Sequence, residues 1–252
     1  MRIVFKGYKN LFNVLFALLA FSVSPAFADV SFTNSQEEFL ADSPNVVSQN
    51  FLDRVVPSNQ FANCNSPVNR QSDDACFTPG FILPGIEFLV NQVSAPDAFA
   101  LFGPNYRGSG NPPNVLTTSA FDNTFDITFP FVGVNAVGVL LGCLDADNGF
   151  CNRTLEVQVY GTDNNLIGST TVIGTNLFDS FLGVESLETI GRVSVMVQGP
   201  GEIVQGAERV WFRPVSNIPT LSEWGMMAAA AGLMIVGVFF AVRRRRAAGA
   251  RI

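Results

Sequence analysis

Apolar and polar positions alternate with a period of two along much of this chain, which predicts strands with one buried face. Leu155, Val157 and Val159 alternate with Glu156, Gln158 and Tyr160. Val193, Val195 and Val197 alternate with Ser194, Met196 and Gln198. With these two at Leu155–Tyr160 and Arg192–Val197, further apolar runs predict strands over Val46–Phe51, Phe81–Val90, Ala98–Phe102, Val115–Thr118, Thr124–Phe129, Ala136–Leu141, Leu166–Ile173, Phe178–Leu182 and Arg209–Arg213. Pro84-Gly85 interrupts the second of these and marks a bulge or an edge. One short helix precedes them. Ser35 and Glu38 form a capping box, Phe39 and Leu40 follow on its buried side, and Pro44 stops it.

Turn chemistry joins the strands. Gly161-Thr162-Asp163-Asn164-Asn165 tolerates left-handed backbone and predicts an antiparallel hairpin between the strands on either side. Gly103 to Asn114 reads as a loop rich in Gly, Pro and Asn. Asp53 to Pro79 holds three prolines and many Asn and Ser, and is expected as a long surface excursion. About ten strands and 24 Phe to fill a core predict an all-β fold, a jelly-roll-like antiparallel β-sandwich. Aromatic residues at strand spacing are expected in that core.

The two ends have other patterns. Arg2, Lys6 and Lys9 precede the apolar run Leu11 to Val23, and Ala26-Phe27-Ala28 is a small-x-small site. Residues 1–28 are therefore expected to be a signal peptide removed after Ala28 by signal peptidase. Met226 to Val242 is a 17-residue stretch without charge, followed by Arg243, Arg244, Arg245 and Arg246. With Trp224 and Gly225 it is long enough to span a hydrocarbon core of about 30 Å. The Arg cluster stays cytoplasmic, which leaves the N-terminal bulk outside.

The segment ahead of that run is Ile218-Pro219-Thr220-Leu221-Ser222-Glu223-Trp224-Gly225. This motif, the apolar helix and the Arg block resemble the IPTL-CTERM sorting signal, a relative of the PEP-CTERM signals. The resemblance covers residues 218–252, with the motif at 218–225, the transmembrane helix at 226–242 and the Arg-rich tail at 243–252. It implies Ile218, Pro219, Thr220, Leu221, Trp224 and Gly225 as the motif read by an exosortase-like membrane transpeptidase. It also implies a chain anchored in the inner membrane in transit, then placed in the cell envelope or on the surface. An ordinary anchor that is never cut is the alternative. Residues 29–217 are the ectodomain. Within it Phe125-Asp126-Ile127-Thr128-Phe129-Pro130, Val137-Gly138-Val139, Phe181-Leu182-Gly183-Val184 and Ile190 resemble β-sandwich domains of PEP-CTERM-type proteins. The last strand, Glu208 to Arg213, departs from their pattern. That resemblance implies a sandwich and an association with extracellular polysaccharide or biofilm.

Charge narrows the partners. Between Asp29 and Ser222 there are seven Arg, no Lys and twenty Asp plus Glu, a net charge of −13. The whole-chain value of −6 conceals this, because both ends are basic. An acidic ectodomain without lysine excludes nucleic acid as a partner and is compatible with neutral glycans or cations. The four cysteines, Cys64, Cys76, Cys143 and Cys151, suit an oxidising compartment. Three pairings are open, and the local one, Cys64–Cys76 with Cys143–Cys151, is preferred because both segments read as surface loops.

Catalytic chemistry has little support. The chain has no His, so a Ser-His-Asp or Cys-His arrangement is excluded. The expectation is a non-enzymatic surface protein with no cofactor. Asp145, Asp147 and Asn148, between Cys143 and Cys151, place hard oxygen donors in one turn where calcium could bind, although ordinary turn residues account for the same string. Two alternatives stay open: a calcium-dependent glycan-binding adhesin, and a polysaccharide-active hydrolase working through paired carboxylates.

Overall fold

The computed structural model describes residues 30–91, 95–121, 124–130 and 133–214. The expected signal peptide, sorting motif, apolar run and Arg-rich tail lie outside these residues. Among the described residues, no helix is long and apolar enough to cross a membrane.

In chain order the elements are β1 (Val30–Thr33), α1 (Gln36–Asp42), β2 (Val47–Asn50), β3 (Phe61–Ser66), β4 (Glu87–Leu89), β5 (Ala95–Phe102) and β6 (Val115–Thr118). Then follow β7 (Phe125–Thr128), β8 (Val134–Asp145), β9 (Asn152–Gly161), β10 (Leu166–Thr175), β11 (Ser180–Val197) and β12 (Ile203–Pro214). The strand pairings are antiparallel, along the order β10-β9-β11-β8-β12-β6-β5-β3.

Two layers emerge because β11 changes partners along its length. Its first half, Ser180 to Ser186, lies between β8 and β1. Its second half, Ile190 to Val197, lies between β9 and β7, and β4 adds to β7. One layer is thus β10-β9-β11-β7-β4, and the other is β1-β11-β8-β12-β6-β5-β3 with β2 alongside β12. Their inner faces share one core. Val157, Val159, Val193, Val195, Phe125 and Phe88 come from the first layer. Val137, Val139, Leu141, Val210, Leu116, Leu101 and Phe99 come from the second. This is the expected all-β antiparallel sandwich.

The alternation in β9 is borne out, with Leu155, Val157 and Val159 buried and Glu156, Gln158 and Tyr160 partly exposed. The hairpin to β10 forms as expected. Gly161 N–H donates to Asn165 O at 2.9 Å, Asn164 adopts φ +64°, and Asp163 Oδ1 accepts from Asn165 N. Helix α1 starts at Ser35, whose Oγ accepts from Glu38 N at 3.2 Å. The reciprocal half of the box is relayed: Ser35 N donates to Thr33 Oγ1, and Thr33 Oγ1 donates to Glu38 Oε2 at 2.8 Å.

Three expectations need correction. Phe178–Leu182 and Arg192–Val197 are not separate strands, because β11 runs unbroken between Ser180 and Val197. Its inward-facing register changes where it passes from one layer to the other, and this hides the continuity. The 81–90 segment keeps only three residues of strand, since Gly85 turns at φ +88°. Asp53–Pro79 is not a surface excursion. It contains β3, and Val56, Val68, Cys76 and Phe77 are buried in the main core. Side chains cap its irregular backbone: Asp74 Oδ1 accepts from Cys76 N and Phe77 N, and Asp53 Oδ2 accepts from Thr78 N.

The disulfides are Cys64–Cys76 and Cys143–Cys151, the local pairing. All four cysteines are buried, so the bridges brace the core edge and do not tie surface loops.

Candidate functional site: an aromatic groove on the outer sheet face

The outer face of the second layer is covered at one end by α1. Gly138 and Gly183 lie directly opposite each other on β8 and β11. A Cβ on Gly138 would meet the Phe39 ring at 2.7 Å, and one on Gly183 would meet it at 2.8 Å. The absent side chains make the seat in which Phe39 packs, with Phe181 and Trp211 beside it.

At the other end the same face carries a groove of about 380 Å³. Strand register explains its walls. Phe61 on β3 opposes Phe102 on β5, and Phe102 opposes Val115 on β6. Asn63 opposes Ala100, and Leu144 on β8 opposes Val204 on β12. These side chains therefore point away from the main core. A second apolar cluster, including Ala100, Phe102, Tyr106, Leu144 and Val204, forms beneath the groove. Phe121, in the turn after β6, completes the lining.

Exposure separates rim from floor. Phe61 is 50% exposed and Phe121 36%, whereas Phe102 and Tyr106 are buried. Phe61 and Phe102 centroids are 5.4 Å apart, and Phe102 meets Tyr106 edge-on at 4.6 Å, so the exposed Phe61 ring rests on fixed ones. Asn63 and Ser119 contribute polar groups. Among the described residues, no Asp, Glu, Lys or Arg lines the groove.

The loop carrying Tyr106 is fastened at several points. Asn111 is buried, and its Oδ1 accepts from Tyr106 N at 2.6 Å and from Ser109 Oγ at 2.8 Å. Its Nδ2 donates to Gly103 O at 3.0 Å and Pro112 O at 2.9 Å. Arg107 N donates to Asn59 Oδ1, and the Arg107 guanidinium donates to Asp147 O. Gly149 makes room for this contact, because a Cβ there would lie 2.6 Å from Tyr106 O.

The candidate cation loop thus stands beside the groove, which Ala146 also lines. The Asp145 and Asn148 side chains turn inward to the loop's own backbone, and Asp147 is exposed. Asp145 Oδ1 accepts from Asp147 N at 2.8 Å and Asn148 N at 3.2 Å, and Asn148 Oδ1 accepts from Phe150 N at 2.8 Å. Among the described residues, no three His, Cys, Asp or Glu gather as a group that could hold a metal ion.

The first layer's outer face carries a polar network. Asp126, 5% exposed, pairs with Arg192 at 3.2 Å and accepts from Ser194 Oγ. Arg192 lies over the Tyr160 ring at 4.0 Å and donates to Asn164 Oδ1 at 2.9 Å. Hydrogen bonds from Gln198, then Gln158, hold the Glu156 carboxyl below the usual carboxylate range.

The groove aromatics were not legible as a site, because aromatic residues at strand spacing read as core. Phe121 carried the one available signal: a ring in a turn, where no sheet face can bury it.

No protein-family model matches this chain, and no curated protein matches it. Similar solved structures include a family 6 carbohydrate-binding module, with 10% identity, TM-score 0.28, and coverage of 50% of this chain and 86% of the module. A family 32 carbohydrate-binding module from Clostridium perfringens, in complex with galactose, shows 13% identity, TM-score 0.26, and coverage of 51% and 94%. Isomalto-dextranase from Arthrobacter globiformis, complexed with panose, shows 11% identity, TM-score 0.30, and coverage of 73% and 34%. At this level of overlap the similarities bear on neither ligand nor activity.

Proposed function

We propose that this chain is an exported, non-enzymatic surface protein that holds neutral carbohydrate in the groove between Phe61 and Phe121. The observation that carries this reading is a pair of exposed phenyl rings over an uncharged, mostly apolar floor, with an amide at Asn63. Sugars present apolar C–H faces to rings and hydroxyls to amides, and ligand sites combine these two features. Among the described residues the lining has no carboxylate, which favours binding over hydrolysis. Calorimetric titration of the chain with an array of neutral oligosaccharides tests this. Binding is expected, and Phe61→Ala and Phe121→Ala should each weaken it about tenfold or more. Binding that ignores both substitutions would dismiss the groove.

The same proposal covers handling. Residues 1–28 direct export, and residues 218–252 hold the chain in the inner membrane until an exosortase-like transpeptidase acts at the Ile218–Gly225 motif. The chain then stays in the cell envelope, associated with extracellular polysaccharide. The test is the mass of the mature C-terminus in cells with and without such an enzyme. A product that retains residues 226–252 in both would sink the sorting half and leave the groove untouched.

A further inference from the structure

We propose that the groove selects neutral sugars carrying a methyl group, as an acetyl or 6-deoxy substituent, over their fully hydroxylated parents. This rests on the groove being a carbohydrate site. The argument is the imbalance of its lining. Ala100, Leu144 and Val204 form a floor under 5% exposed, and Phe102 and Tyr106 wall it. The groove's polar groups come from other residues: the Asn63 amide, able to donate and accept together, and the hydroxyl-bearing Ser119, Thr118 and Tyr106. A hydroxyl set against the floor loses water and finds no partner there, which weakens binding roughly tenfold per group. A methyl set against the same floor gains roughly fourfold. These few groups, beside a floor that offers none, suit an acetamido group or a pair of neighbouring hydroxyls, and do not serve a whole ring of them. The lack of a cation among the described lining residues, within a domain of net charge −13, turns away uronic acids.

The probes are methyl glycosides in matched pairs: N-acetylglucosamine with glucose, fucose with galactose, and glucuronate as the anionic control. They are titrated into the full chain held in a detergent without a sugar headgroup. The methyl-bearing member of each pair is expected to bind at least tenfold tighter, and glucuronate not at all. Val204→Thr, nearly the same shape, puts a hydroxyl on the floor and should shrink the preference while circular dichroism stays unchanged. Equal affinity within each pair, still lost in Phe61→Ala, would overturn the selectivity and leave the binding reading standing. If no sugar binds, or if the groove instead joins two copies into a dimer that Phe61→Ala dissolves, both readings fall together.

Discussion

Two side chains carry more of this structure than their neighbours do. Asn111 has its carbonyl and amide both engaged inside a buried loop, so Asn111→Ala leaves several polar backbone groups without partners. A loss of roughly 2–3 kcal/mol is expected in urea unfolding. Arg192 stabilises the buried carboxylate of Asp126 while its flat guanidinium rests on Tyr160. Removal with Arg192→Ala strands that carboxylate and should cost about 2–4 kcal/mol, with the partial exposure of Arg192 keeping the figure down. Arg192→Lys keeps the charge but loses the fork and the stacking, and should recover only part of the loss.

Glu208 behaves differently. It occupies the bulge between Ala207 and Arg209 on β12. Burial pushes its carboxyl above the ordinary value of 4.5, and Arg209 offsets part of this. The folded state then holds this proton more tightly than the unfolded chain does. Its contribution favours folding below the unfolded value and is lost as pH rises through the raised folded value. Glu208→Gln should therefore raise Tm at neutral pH and leave it unchanged well below pH 4.5.

Among the elements, α1 depends on the sheet beneath it. Seven residues cannot hold a helix alone. Its capping and the seating of Phe39 over Gly138 and Gly183 supply what length does not. Gly183→Ala should displace that ring and cost about 1–3 kcal/mol, measured by thermal unfolding. The elements also show where the sequence was readable. β9 follows from alternation alone, and the β9–β10 hairpin from its turn residues. β11 was split in two because alternation restarts when a strand changes layers near Glu188 and Gly191. The burial of residues 53–79 was invisible because Val56, Val68, Cys76 and Phe77 reach the core from backbone without a period. The groove was hidden for a further reason. Its residues come from β3, β5, β6, β8, β12 and three loops, and no local pattern links Phe61 to Val204.

For the molecule as a whole, core and crosslinks act together. Each disulfide closes a loop of about ten residues, and the chain-entropy account assigns each roughly 2–3 kcal/mol. Reduction should lower the urea midpoint accordingly. Loss of Cys143–Cys151 should also weaken sugar binding, since the hairpin it braces holds Arg107 and borders Tyr106. The charge pattern implies a second trend: binding of neutral sugars should vary little with salt, because the ligand carries no charge for the acidic domain to act on.

Strand β12 joins the two ends of this arrangement. Val204 lines the groove near its start, and Pro214, at its end, leads to residues 218–252. Roughly 33 Å of extended backbone separates them. β8 flanks this strand on one side, β6 and then β2 on the other. A pull on a chain held at its C-terminal end, as proposed, would enter the sheet through β12. The strand that shapes the proposed binding face is also the cable that would bear that load.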